Sequence, residues 1–378
     1  MTGTASRTPV RYGIVGAGYF GREFARILAD LPSAALAGVY STGDATAFGT
    51  DFDCPVLDTY EDLLALCDAV IIASPNHAHR EYAIAAADHG VAVFCEKPIA
   101  LSHADCDAMV SACERNGVLF LAGHVMHFMD GVRRAAALIA DGAIGEPVVG
   151  RAVRVGWEDG TAAPTWKKTR ALSGGHLFHH IHELDVLQHL MGNAETATMI
   201  AGGAPQAGAR VGDEDALLLA TVTMPGHRYA TLEWGSVFRR PEHLVRVEGT
   251  RGYLEIDMED VGVTVVSDAG TETFPLHESA EVDAERTAEN HGTGSGGGVT
   301  YGDPTVRPPR WLRTVMEREL AYFTGLLHGD PADPALAGLT DGTAARASIA
   351  TAEALTRSAA LGRTVAVSEV TAEASVPA

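Results

Sequence analysis

The chain has 378 residues, 46% of them hydrophobic and 20% charged, which suits two globular domains and excludes a disordered chain. Its 28 Lys and Arg against 49 Asp and Glu leave a net charge of −21, which argues against a nucleic-acid surface, because such surfaces neutralise phosphates with cations. The same imbalance favours solubility, or attraction of cationic small molecules.

Met1–Arg11 lacks the apolar segment of a secretory leader, and no run approaches the length of a membrane span, so neither is expected. Five cysteines (Cys54, Cys67, Cys95, Cys106, Cys113) without a CxxC pair point to a reducing cytoplasm. Arg11–Val15 is an apolar strand running into Gly16-Ala17-Gly18-Tyr19-Phe20-Gly21, and a helical pattern follows through Phe24, Ile27 and Leu28. Between strand and helix, such glycines allow a tight turn (Gly16), backbone approach to a pyrophosphate (Gly18) and close helix packing (Gly21). Leu36–Val39, Ala69–Ala73, Val91–Cys95 and Val118–Ala122 read as further strands, and Thr59–Asp62 and Ser102–Asp105 as helix caps. The alternation predicts a doubly wound parallel sheet over residues 1–124. Tyr40-Ser41 ends the second strand, and no Lys or Arg lies between Ile27 and Cys54 to hold a 2′-phosphate. NAD is therefore expected, with NADP as the alternative. Ligands of such sheets sit where strands end, which singles out Ser74-Pro75-Asn76-His77-Ala78-His79 and Glu96-Lys97-Pro98.

Residues 125–378 form the second predicted domain. Asp130 is placed as N-cap of the helix Val132–Ala140. Val148–Val155, Ala194–Ala201, Asp215–Thr223, Ala230–Trp234, Leu244–Glu248, Gly252–Ile256 and Val261–Val266 predict a large, mostly antiparallel sheet, giving an α/β Rossmann domain plus an α+β domain. Glu281–Pro308, rich in glycine, reads as a flexible loop, lid or disordered insert. Arg310–Leu327 and Leu339–Leu361 read as amphipathic helices, and Thr371–Ala378 as a loose tail.

The motifs at Gly16–Gly21, Ser74–His79 and Glu96-Lys97-Pro98, followed by Gly174-Gly175, His182-Glu183-Leu184-Asp185 and Met191-Gly192, resemble the Gfo/Idh/MocA oxidoreductases. That family includes glucose–fructose oxidoreductase and inositol dehydrogenases. The resemblance implies NAD(P)-linked chemistry at a ring carbinol and a homodimer or homotetramer formed through the sheet face. It implies that Lys97 bonds the reacting hydroxyl and that His182 is the acid/base. It assigns the cofactor to Gly16, Gly18, Tyr19, Phe20, Gly21, Tyr40, Ser41, Ser74, Pro75, Asn76, His79, Glu96 and Lys97.

Sixteen His are present, eleven of them between His77 and His189. Read as one helix, Ser173–Asp185 makes His176–His179 and His179–His182 neighbours and lets Asp185 orient His182. Relatives carry an Asp four residues before the His, where Phe178 stands here, so His179 is a candidate replacement. No metal is expected, since one helix turns the third ligand away from the first. His124, His127, Trp157, Trp166, His176, His179 and His182, with Lys97, are candidate substrate contacts, each His or Trp with a structural alternative. The expected activity is an NAD(P)-dependent dehydrogenase or ketoreductase acting on a sugar, cyclitol or amino sugar, the last by analogy with aminoglycoside and antibiotic biosynthesis. The alternatives are a non-catalytic dinucleotide sensor, or a hydrolase or lyase using transient oxidation.

Overall fold

The computed structural model describes residues 7–157, 166–203, 212–292, 302–303 and 306–374. Five parallel strands form the first sheet: β1 (Val10–Val15), β2 (Ala34–Tyr40), β3 (Ala69–Ile72), β4 (Ala92–Glu96) and β5 (Phe120–Gly123). Their spatial order is β2-β1-β3-β4-β5, so the order reverses beside β1 and opens a crevice at the carboxyl ends of β1 and β3. Helices α1 (Tyr19–Asp30), α2 (Thr46–Phe52), α3 (Tyr60–Leu64), α4 (His79–Asp88) and α5 (His103–Asn116) connect them. Both sequence caps form: the Thr59 and Ser102 side chains accept the Asp62 and Asp105 amides.

After α6 (Asp130–Ala140), nine strands form the second sheet. They are β6 (Pro147–Trp157), β7 (Thr196–Gly202), β8 (Leu217–Met224), β9 (Arg228–Gly235), β10 (Val237–Gly249), β11 (Gly252–Asp257), β12 (Gly262–Ser267), β13 (Gly270–Phe274) and β14 (Val365–Ala366). The order is β13-β12-β11-β10-β6-β9-β8-β7-β14, antiparallel except for the parallel pair β6–β9. Helices α7 (Arg170–Ser173), α8 (His176–His179) and α9 (His182–Met191) precede β7. A Cβ on Gly150 of β6 would lie 2.5 Å from the Met191 sulfur, so the bare glycine lets α9 settle on the sheet. The other face exposes Val149, Ile200, Leu219 and Tyr229. The last helices are α10 (Ala280–Gly292), α11 (Arg310–Leu327), α12 (Ala337–Thr340), α13 (Thr343–Leu361) and α14 (Val367–Ala374). The chain here returns to the first domain: the Tyr12 and Thr324 hydroxyls bond at 2.7 Å, and Phe323 meets Phe94.

Several sequence expectations need correction. The segment read as a loop begins with α10, held by Asp283 accepting the Leu276 and His277 amides and by Asn290 donating to the Met258 and Glu259 carbonyls. Its glycine run Gly296–Gly298 lies outside the described residues. Asp130 does not cap α6; it is the first helical residue and pairs with Arg318. Asp341-Gly342 splits the expected helix Leu339–Leu361 into α12 and α13, with Gly342 in the left-handed region. The tail is helical to Ala374. No helix among the described residues is long and apolar enough to cross a membrane.

Candidate functional site

The glycine turn has the shape a dinucleotide needs. Gly16 has φ +105°, and a Cβ there would lie 2.7 Å from the Ala73 carbonyl oxygen. A Cβ on Gly21 would lie 2.0 Å from the Gly16 oxygen, whereas one on Gly18 would meet nothing within 4 Å. Two glycines are thus demanded by packing, and the third leaves open space for a ligand. Helix α1 starts there without a side-chain cap or a first-turn acid, so its amides remain available to a phosphate. These residues fit NAD. Tyr19 packs edge-on against Phe20, and Phe20 lines the cleft beyond. Tyr40 belongs to a ring cluster with Tyr60 and Tyr82, and Ser41 accepts the Gly43 amide.

The two strand-end loops are tied together. The His79 ring is buried, with its nitrogens 3.0 Å from the Ser74 and Pro98 carbonyl oxygens. Asn76 donates 2.9 Å to the Ser173 carbonyl. Both side chains, assigned to cofactor contact from sequence, hold backbone, and the Pro75 carbonyl accepts the Ala78 amide in the turn that follows it.

The histidine segment is not one helix. Gly174 and Gly175 both take left-handed φ values (+83° and +82°), and a Cβ on Gly174 would lie 2.6 Å from Phe178. Helix α8 ends at His179, His180 leaves the helical region (φ −112°, ψ 48°), and α9 restarts at His182. The expected i, i+3 pairs are replaced by His176–His180 and His179–His180, each with ring centroids 4.7 Å apart. Among the described residues, no group of His, Cys, Asp and Glu is placed to hold a metal.

His176, His179, His180 and His182 line a cleft of about 700 Å³ with Phe20, Glu96, Lys97 and Trp157. Lys97 Nζ donates 3.0 Å to the His179 carbonyl, so the backbone of residue 179 positions it. Burial, and then the Lys97 charge, hold His182 well below the usual imidazole range. Its Nδ1 is buried without a hydrogen-bond partner among the described residues. A neutral imidazole beside an ammonium can accept a proton from one oxygen while the ammonium bonds it. Burial lowers Lys97 to about 8, against the opposing charge of Glu96, and burial raises Glu96.

Asp185 does not orient His182. It accepts from His127 Nε2 at 2.8 Å and lies 3.3 Å from His124 Nδ1, while His127 packs on His189 with centroids 4.3 Å apart. Burial raises the Asp185 carboxyl, but His124 and His127 outweigh it and bring it to about 2. His124 and His127, expected as substrate contacts, are buried at 0% and 4% exposure and do not line the cleft. Their place on the turn after β5 turns them into the core behind α9. Trp166 also lies outside the lining; its neighbour Lys167 reaches it instead.

Sequence reasoning missed Arg154, His243, Arg286 and Trp311. Arg154 on β6 and His243 on β10 both meet the fully buried Glu183, at 3.3 and 2.7 Å. Adjacent-strand register brings them together, and no local pattern reports it. Arg286 required α10 to be recognised, whereas Trp311 lies on the expected helix Arg310–Leu327 and only its place in the cleft was missed. The acidic first turn of α10, Glu281 and Asp283, was the available signal.

The cleft inverts the charge of the molecule. Lys97 and Lys167 have no carboxylate ion pair among the described residues, Arg154 pairs with Glu183, and Lys168 with Glu214. Burial weakens the charged forms on both sides, of Glu96 and Glu259 as of Lys97 and Lys167, but the described lining holds five cations (Lys97, Arg154, Lys167, Lys168 and Arg286) against four carboxylates (Glu96, Glu183, Glu214 and Glu259). The unbalanced charge around the histidines is therefore positive.

Residues 10–124 match the oxidoreductase family with an NAD-binding Rossmann fold, GFO_IDH_MocA, and residues 136–367 match its C-terminal alpha/beta domain. The chain is 47% identical over 369 residues to a 2,7-anhydro-N-acetylneuraminate hydratase of Mediterraneibacter gnavus, covering 97% of this chain and 99% of that one. It is 40% identical to a hydratase of the same name from Escherichia coli, covering 97% and 100%. An oxidoreductase from Agrobacterium radiobacter, solved with NAD+, L-tartaric acid and magnesium, shares the fold with TM-score 0.74 at 20% identity, over 96% and 99% of the chains.

Proposed function

Because the chain belongs to the Gfo/Idh/MocA oxidoreductases, a family of NAD(P)-dependent sugar and cyclitol enzymes, we propose that it hydrates 2,7-anhydro-N-acetylneuraminate through a transient oxidation. The carrying observation is the cationic cleft inside a protein of charge −21. A sugar acid fits Lys97 and Lys167 without their needing counter-ions. It fits better than the cationic amino sugar that the overall charge suggested. Near-full-length identity to two hydratases supports the same substrate.

Bound NAD supplies a hydride acceptor that can later return the hydride. Neutral His182 takes the proton of the reacting hydroxyl, and Lys97 Nζ bonds the same oxygen as charge develops on it. A ketone two carbons from the bridging C2 would acidify the hydrogen between them, and His179 or His182 is placed to receive that proton. The bridge oxygen then leaves C2 and is protonated, and water adds to C2. The removed proton goes back to the intervening carbon, and the carbinol is restored. Redox is balanced and water is the only net addition.

The test is proton NMR of this sugar in D2O with the protein and a trace of NAD. Expected are N-acetylneuraminate, deuterium at the carbon beside C2, and no accumulation of NADH. Stoichiometric NADH with a ketone product would make it a plain dehydrogenase, and turnover of neutral polyols alone would reject the sugar-acid reading. A non-catalytic sensor has no use for Lys97 and His182 in one cleft. Assembly through the sheet face is proposed from its exposed pairs Leu219–Ile200 and Val149–Tyr229, and sedimentation velocity would test it.

A further inference from the structure

The cleft has a second wall, built by α10 and α11. Its apolar lining residues are Met258, Trp311, Leu312 and Met316, beside the polar Glu259, Arg286 and Asn290. Hydroxyl groups of a sugar gain nothing from the apolar part of it. Trp311 is only 9% exposed, and its Nε1 has no hydrogen-bond partner among the described residues. An indole N–H can only donate, so the missing partner is an acceptor. Leaving it unpaired in a buried setting is costly, and a ligand that supplies the acceptor recovers that cost.

The wall is fixed in advance. Arg286 Cζ lies 3.9 Å from the Trp311 ring centroid, and its guanidinium donates to His277 Nε2 at 3.1 Å. His277 itself stacks on the indole, with centroids 5.2 Å apart and planes 24° apart. One turn further along α10, Asn290 donates to the carbonyls of Met258 and Glu259. The indole and the methionine backbone are thus held by the same helix face.

We propose that this wall is the acyl pocket of the site, in which Trp311 Nε1 donates to the carbonyl of the substrate's acetamido group and the methyl lodges among Met258, Leu312 and Met316. The assignment rests on the sugar-acid reading above for its substrate. It separates the work of the cleft: cations hold the acid group, and the indole wall holds the amide.

The experiment compares 2,7-anhydro-N-acetylneuraminate with its N-deacetylated counterpart, using NAD-loaded protein. For Trp311→Phe, KM for the acetylated sugar rises about five- to tenfold with kcat within about twofold, and KM for the deacetylated sugar is unchanged. An equal rise for both compounds, as a carboxylate contact would give, overturns the proposal. Met316→Ala is the second variant. It shifts preference towards an N-propanoyl substrate, and an unaltered preference for acyl length overturns the proposal. If wild-type protein turns over neither sugar, the hydratase reading fails by itself. Calorimetric Kd values for the two sugars then decide the acyl pocket: tighter binding of the acetylated one, lost in Trp311→Phe, upholds it, and equal binding rejects it.

Discussion

His124, His127 and His189 gather around Asp185, whereas His179, His180 and His182 gather around Lys97, with His176 packed on His180. The two groups use the same side chain and lie on neighbouring segments; His124 and His127 are buried, and His179, His180 and His182 are partly exposed. Their partners differ. The first has a buried carboxylate that meets two of its imidazoles, although both His124 nitrogens and His127 Nδ1 make no hydrogen bond of good geometry among the described residues. The second lines the cleft, where burial first and neighbouring cations next keep the rings neutral, and one His182 nitrogen has no partner among the described residues. A histidine set against a buried carboxylate serves the fold, and one that lines a cleft beside an ammonium is placed to move protons.

The largest effect separating the groups is expected at Lys97. Lys97→Met should lower kcat/KM by about 10³-fold, the scale of losing one stabilising donor, with unfolding by urea unchanged. His182→Asn should cost about 10²- to 10³-fold in kcat, the scale of general acid–base catalysis. Steady-state kinetics beside a melting curve would check both. Asp185→Ala should do the opposite, costing about 3 kcal/mol of stability because buried imidazoles lose their carboxylate. Catalytic loss as large as for His182 would break the distinction.

pH sharpens the comparison further. Activity should fall as pH rises through about 8, because Lys97 must carry its proton to stabilise developing negative charge. No acid limb should appear near 6.5, since His182 stays neutral there. The stability due to Asp185, whose carboxyl is depressed to about 2 from 3.8, is present above 3.8 and is lost as pH falls through 2. The difference between wild type and Asp185→Ala in urea titrations should narrow in that window. Smallest of all, Trp166→Ala should change kcat/KM by less than about threefold, since this half-buried ring is not part of the cleft lining.

Most of the first domain was legible because its signals are local. Strand, glycine turn and helix cap each lie within a few residues, and Gly16, Thr59 and Ser102 do what their spacing implied. The second domain hid its site in long-range contacts. Asp185 meets His127 across 58 positions, and Arg154 meets Glu183 through the register of a sheet. Helix periodicity misled across Gly174-Gly175, where two left-handed residues and the break at His180 rotate the rings out of the expected pairs. Helix α10 escaped because only a few of its positions are apolar and its buried face carries Asp283 and Arg286.

The bond from Lys97 to the His179 carbonyl has a consequence for any mutational scan of this enzyme. A carbonyl belongs to every amino acid, so replacing the side chain at 179 leaves the lysine's anchor in place. Evolution is free to exchange the residue at 179 and retune proton traffic without losing the lysine. The fragile points lie elsewhere, at Gly174 and Gly175, whose backbone angles set the path of the chain. A scan that reads importance from side chains alone would pass over the atom that aims the ammonium.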